Sequence, residues 1–126
     1  MTEQKRTRAA TSVLVFGLYM LGQGAALLVA PNVLLGLLGF APALDVWARV
    51  TGIALMVLGL YYVAASRGEW TPFFRLTVVG RTFQFVAFGG LVLAGLAPLG
   101  LLATSGLELC SGVWTFLALR RDARTG

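Results

Sequence analysis

Two charges stand where charges are costly. Arg81 lies in an apolar run over residues 73–97, and Glu108 lies in a second over residues 99–119. An ionised side chain at the centre of a hydrocarbon layer costs about 2.5–3.5 kcal/mol on insertion scales, so it takes a partner, a wet cavity or a task. A carboxyl that can be protonated, close to a permanent cation, suits recognition of a small amphipathic or anionic molecule. It also suits proton-coupled binding, provided the carboxyl titrates in a useful range.

The neighbours of Glu108 are patterned. Thr104, Ser105, Ser111, Gly112 and Thr115 fall at offsets −4, −3, +3, +4 and +7 from it. At 3.6 residues per turn they form one stripe, the kind of face that packs on other helices or lines a cavity. Close packing accounts for the Ser, Thr and Gly positions but not for the acid. Arg81 shares a face with Gln84, Phe85 and Phe88. It stands roughly 12–14 Å along its helix from Pro72, which leaves an axial gap to Glu108 on the order of 9 Å in a ~30 Å core. The long side chain nearly closes that gap, directly or through water or Gln84. The alternative is that Arg81 snorkels to the interface and Glu108 is protonated. Gln23 falls near mid-membrane in the first apolar run and is placed to hydrogen-bond to Glu108.

The candidate ligand-binding set is therefore Gln23, Arg81, Gln84 and Glu108, surrounded by Tyr19, Thr104, Ser111, Trp114 and Thr115. Arg49, at the edge of the second run, is a further candidate. Asp45 one turn back offers it an ion pair, and an anchor is the plainer role.

The elements that position these residues are membrane helices. The chain is 126 residues long, 58% hydrophobic and 12% charged, against about 25% charged in an average soluble domain. Four spans are expected, at about 9–30, 46–66, 73–97 and 99–119. They should form an all-α, up-down antiparallel four-helix bundle in a single transmembrane domain. Residues 31–46 are too apolar for a free loop and too short to cross, so a short interfacial segment is expected there. The basic N-terminus and first apolar run resemble a secretory signal peptide. The length of the run and Pro31 directly after Ala30 favour a retained helix instead. Trp47 is placed as an interfacial anchor, with Tyr61 and Tyr62 near the other face. Thr71 is expected to cap the third span, with Pro72 in its first turn. After the fourth span a short polar tail is expected.

Eight of the ten basic residues (Lys5, Arg6, Arg8, Arg67, Arg75, Arg120, Arg121 and Arg124) fall on one side of such a bundle. The positive-inside rule then puts both termini in the cytoplasm, and a cell inner (plasma) membrane is the expected location. The net charge of +5 is distributed as short clusters between apolar runs. No contiguous basic face exists for a nucleic acid. The chain has no histidine and a single cysteine, Cys110, inside an apolar run. An internal disulfide, a Cys/His metal site and His-based acid–base catalysis are excluded, and no nucleophile–base pair is visible. No cofactor and no enzymatic activity are expected.

The sequence Trp47-Ala48-Arg49-Val50-Thr51-Gly52, with Gly59 one heptad after Gly52, resembles a pattern in small bacterial four-helix membrane proteins of the DoxX-like kind. An intramembrane Arg81 and Glu108 suit that resemblance, which covers most of the chain and implies a four-helix fold. Some such proteins are linked to quinone or thiol redox chemistry, for which this chain has no cysteine pair or haem ligand. The size is similar to that of the small multidrug resistance transporters. Those carry an essential acid in the first helix, where this chain has Gln23. Two functions compete. The first is a module that binds, and in one version transports, a small ligand or lipid in an intramembrane polar site. The second is an accessory subunit whose charges fix helix packing against a second copy or another membrane protein.

Overall fold

The structure is a computed structural model that describes residues 6–42 and 46–125. Within them the chain forms five helices and no strand: α1 (Arg8–Val29), α2 (Pro31–Leu37), α3 (Trp47–Gly68), α4 (Thr71–Leu93) and α5 (Gly100–Thr125). All but α2 are long and apolar enough to cross a membrane. The pairing of Asp45 with Arg49 lies outside the described residues.

Local chemistry sets the ends of the helices. The Thr7 hydroxyl accepts from the Ala10 amide at 3.1 Å and caps α1, satisfying one of the amides a helix start leaves unpaired. Pro31 ends α1 because it has no N–H to give and holds Ala30 outside the helical region. α3 stops at Glu69, which is left-handed at φ 54°, and the Trp70 amide returns to the Ala65 carbonyl at 3.0 Å. This is the six-to-one bond of a Schellman closure. The cap of α4 is Trp70, with no side-chain hydrogen bond, so Thr71 is the first helical residue and not the cap. α4 ends at Leu93, short of the expected 97. Gly95 takes φ 76°, and the Leu96 amide bonds back to the Leu91 carbonyl at 2.9 Å. The run stays apolar through Ala97, so hydropathy could not register a stop that glycine geometry makes. α5 runs the other way, past 119 to Thr125. At 1.5 Å per residue its 26 residues reach about 39 Å, so the expected polar tail is a helical extension beyond a ~30 Å core.

α1 is the central element and packs against every other helix, most closely against α3. The reason is a pair of heptad-spaced glycines on each helix. Gly24 meets Gly52, and Gly17 meets Gly59. A Cβ on Gly24 would stand 2.5 Å from the Gly52 carbonyl, and one on Gly52 would stand 2.6 Å from the Gly24 carbonyl. In lipid, apolar burial does not drive helices together, so close backbone packing of this kind carries much of the association. α4 packs on α5, and α5 on α1. α3 and α4, although joined by a tight turn, make almost no contact along their length.

The two ends of the bundle differ. At the end bearing both chain termini, Ala9, Ala10, Val13, Ala65, Phe74 and Ala118 form a dry core. Two carboxylates close over the start of α1. Glu69 accepts from the Thr7 amide at 2.8 Å and the Thr7 hydroxyl at 2.9 Å, and Asp122 accepts from the Ala9 amide at 3.1 Å. α1 has no acid in its own first turn, so these residues from other elements supply the negative charge that a helix N-terminus favours. At the opposite end α2 lies across the bundle. Its trailing Leu38 carbonyl packs directly on Gly100, where any Cβ would collide.

Candidate functional site

Arg81 is 2% exposed, and it reaches this burial by turning into the bundle among hydroxyls. Its Nη1 donates to Ser111 Oγ at 3.2 Å and to Thr115 Oγ1 at 3.1 Å, and its Nη2 donates to Thr77 Oγ1 at 3.1 Å. Thr115 is held in turn by Ser12, with the two hydroxyl oxygens 2.7 Å apart. The guanidinium carbon lies 4.3 Å from the centre of the Phe16 ring and 5.5 Å from that of Tyr62. A cation desolvated over an aromatic face gains on the order of 2 kcal/mol. α1, α3, α4 and α5 all contribute to this cradle.

Glu108, 6% exposed, faces the same interior but does not pair with Arg81. Gln84 Nε2 donates to its Oε1. The connection to Arg81 runs through α5, where Ser111 accepts from Arg81 and donates to the Glu108 backbone carbonyl at 2.6 Å. Both charged groups also border one cavity of about 170 Å³ between α1, α3, α4 and α5. The direct bridge and the snorkelling alternative both give way to a cation satisfied by neutral hydroxyls. Burying it that way spares the carboxylate.

A second cavity, of about 310 Å³, begins on the other side of the Gln84–Glu108 pair. One group of its lining residues is polar: Gln23, Gln84, Thr104 and Glu108. The rest of its lining is largely apolar, with Leu34 and Leu35 of α2 and Leu38 and Phe40 after it. Leu55 and Phe88 wall it from α3 and α4, the two helices that scarcely touch. Gln23 Oε1 is buried and has no hydrogen-bond partner. Such an acceptor is costly, about 1–3 kcal/mol, and is uncommon without a reason. A volume near 300 Å³ lies at the lower end of the range for small-molecule sites.

The structure thus divides the sequence-derived set. Gln23, Gln84, Thr104 and Glu108 share the larger cavity. Ser111 and Thr115 hold Arg81. Tyr19 stacks beside Phe16, with ring centres 5.7 Å apart, outside the walls of either cavity. Trp114 is 43% exposed and points away from the bundle interior, so it does not surround the polar centre. Arg49 is exposed and donates from Nη1 to the Leu28 carbonyl, capping the last turn of α1 as a helix C-terminus favours. Sequence reasoning missed Thr77, Phe16 and Tyr62 as ligands of Arg81, and α2 as a wall of the cavity. Thr77 was legible, since it lies one turn before Arg81 on the same face. The others come from different helices and carried no local signal.

The fold and these four spans define an all-helical, multi-pass membrane protein. Comparison with protein-family models, with curated proteins and with solved structures gives no match.

Proposed function

We propose that this protein is a binding module of a bacterial plasma membrane, with both termini cytoplasmic, that takes a small amphipathic molecule into the cavity between α2 and the Gln84–Glu108 pair. The observation that carries this reading is the grouping of Gln23, Gln84, Thr104 and Glu108 on one otherwise apolar cavity, with the Gln23 Oε1 buried and unpartnered at its wall. A carboxyl and amide groups lining a mainly apolar cavity favour a ligand with a hydrogen-bond-donating head, such as an amine or hydroxyl, and an apolar body. An anionic head is less favoured, because three of the five N–H groups of Arg81 are already engaged by hydroxyls of the bundle and Arg81 does not line this cavity. The weak contact between α3 and α4 favours access from the bilayer. The DoxX-like resemblance adds no ligand to this reading. No catalytic step is assigned.

The test uses alkyl amines, alcohols and carboxylates of one chain length, added to the protein in lipid nanodiscs while thermal unfolding is followed. A ligand at a hundred times its Kd stabilises by about 2.7 kcal/mol, a shift of several degrees. The amine or alcohol should raise the midpoint in wild type and lose that effect in Glu108→Gln. Preference for the carboxylate, or an equal shift in Glu108→Gln, would sink this reading.

A second reading, an accessory subunit, draws on the Arg81 cradle. A charge held by three hydroxyls and two rings from four helices fixes their packing whether or not a ligand binds.

A further inference from the structure

The termini-bearing end holds a second, unrelated hollow. It lies between the start of α1 and the end of α5 and has a volume of about 490 Å³. Arg6, Arg8, Arg120, Arg121 and Arg124 rim it, and no acidic residue lines it. Thr11, Trp114, Leu117 and Ala118 form its deeper wall, one to three turns further into the membrane. The positive-inside rule accounts for arginines on this side. It does not account for five of them, drawn from opposite ends of the chain, converging on one recess. Arg67 and Arg75 lie on the same side and stand outside it. The neighbouring hollow across α5 is different in kind. Its only basic lining residues are Arg75 and Arg120, beside Asp122, whose carboxylate accepts from the Ala9 amide.

We infer that the recess between the ends of α1 and α5 binds the headgroup of an anionic phospholipid, its phosphate among the arginines and one acyl chain along Trp114 and Leu117. The chemistry at each depth fits. Guanidinium groups bind phosphate oxygens in paired hydrogen bonds. An indole at the headgroup level sits where amphipathic rings prefer to lie. Basic recesses between membrane helices are suited to anionic headgroups, beyond the weaker attraction of diffuse surface charge. This explains why Trp114 is exposed: it faces a lipid and not the polar centre. The site is independent of the cavity at Glu108, so either assignment can fail without the other.

The test is native mass spectrometry of the full chain, released from detergent containing equal amounts of phosphatidylglycerol and phosphatidylcholine with matched acyl chains. Wild type should retain phosphatidylglycerol at least about fivefold over phosphatidylcholine. Arg8→Gln/Arg124→Gln removes one rim arginine from each end of the chain and should lose most of that preference. Arg67→Gln/Arg75→Gln removes the same charge on the same side, outside the recess, and should keep it. Equal retention of both lipids by wild type would overturn the assignment. So would a loss in the control pair as large as in the rim pair, which would mean that diffuse charge attracts the lipid. All four arginines are exposed, so each variant should fold, as unchanged helicity by circular dichroism would verify.

Discussion

The two halves of this bundle treat a buried charge in opposite ways. In the half that carries the chain ends, Arg81 is enclosed by Thr77, Ser111 and Thr115 and by the rings of Phe16 and Tyr62. Only its Nε lacks a partner. In the other half, Glu108 has one neutral donor, Gln84, beside a cavity that Gln23, whose buried oxygen is unpartnered, also lines. An intramembrane charge is commonly read as a functional site. The difference here shows that the charge alone is not enough. The degree of enclosure separates the two: three hydroxyls and two rings hold Arg81, whereas Glu108 has one side-chain donor and borders the larger cavity as well as the smaller.

The contrast can be broken most directly at Arg81. Arg81→Ala leaves hydroxyls without their donor and an emptied core, and should cost on the order of 3–5 kcal/mol. Thermal unfolding in detergent measures it. If Arg81→Ala is nearly neutral, the cradle is not structural and the division of roles collapses. Glu108→Gln keeps the shape and a bond to Gln84, so stability should change by less than about 1 kcal/mol while ligand stabilisation disappears. A loss as large as that of Arg81→Ala would make both charges structural. Gln23→Leu sharpens the comparison. It removes a buried acceptor without a partner, so the empty protein should be equally or more stable, by up to about 1 kcal/mol. Ligand affinity should fall about tenfold or less, the worth of one hydrogen bond. Lower stability in the empty protein would show that Gln23 is already satisfied. The smallest effect is expected at the closed end. Thr7→Ala removes a helix cap and one bond to Glu69, costing about 1 kcal/mol. Hydrogen exchange should quicken in the first turn of α1 and stay unchanged around Gln23.

Much of the architecture was legible from residue types. Apolar runs of membrane length gave the spans, and Pro31, Gly39 and Pro42 marked the short segment that became α2. The stripe through Thr104, Glu108 and Thr115 gave the inward face of α5, because helical periodicity is a local property. The boundaries near 97 and 119 were misplaced for a local reason too. Hydropathy reports what a residue prefers to touch, while Gly95 and the extension of α5 concern backbone geometry and reach. Gly52 and Gly59 suggested a close neighbour, but Gly17 and Gly24 identify that neighbour as α1 only once the two helices are side by side.

The sequence by itself determined that four helices cross a membrane, that Arg81 and Glu108 must face inward, and that the basic residues gather at one end. All of these follow from the cost of polar groups in hydrocarbon, which each segment meets on its own. Only the tertiary structure decided that Arg81 binds hydroxyls and not Glu108, that Trp114 faces outward, and that α2 walls a cavity that Gln23 also lines. Those outcomes depend on which helices adjoin and at what depth their side chains meet. That is fixed by the close approach of Gly24 to Gly52 and by the clasp of Glu69 and Asp122 on α1, contacts between residues far apart in the chain.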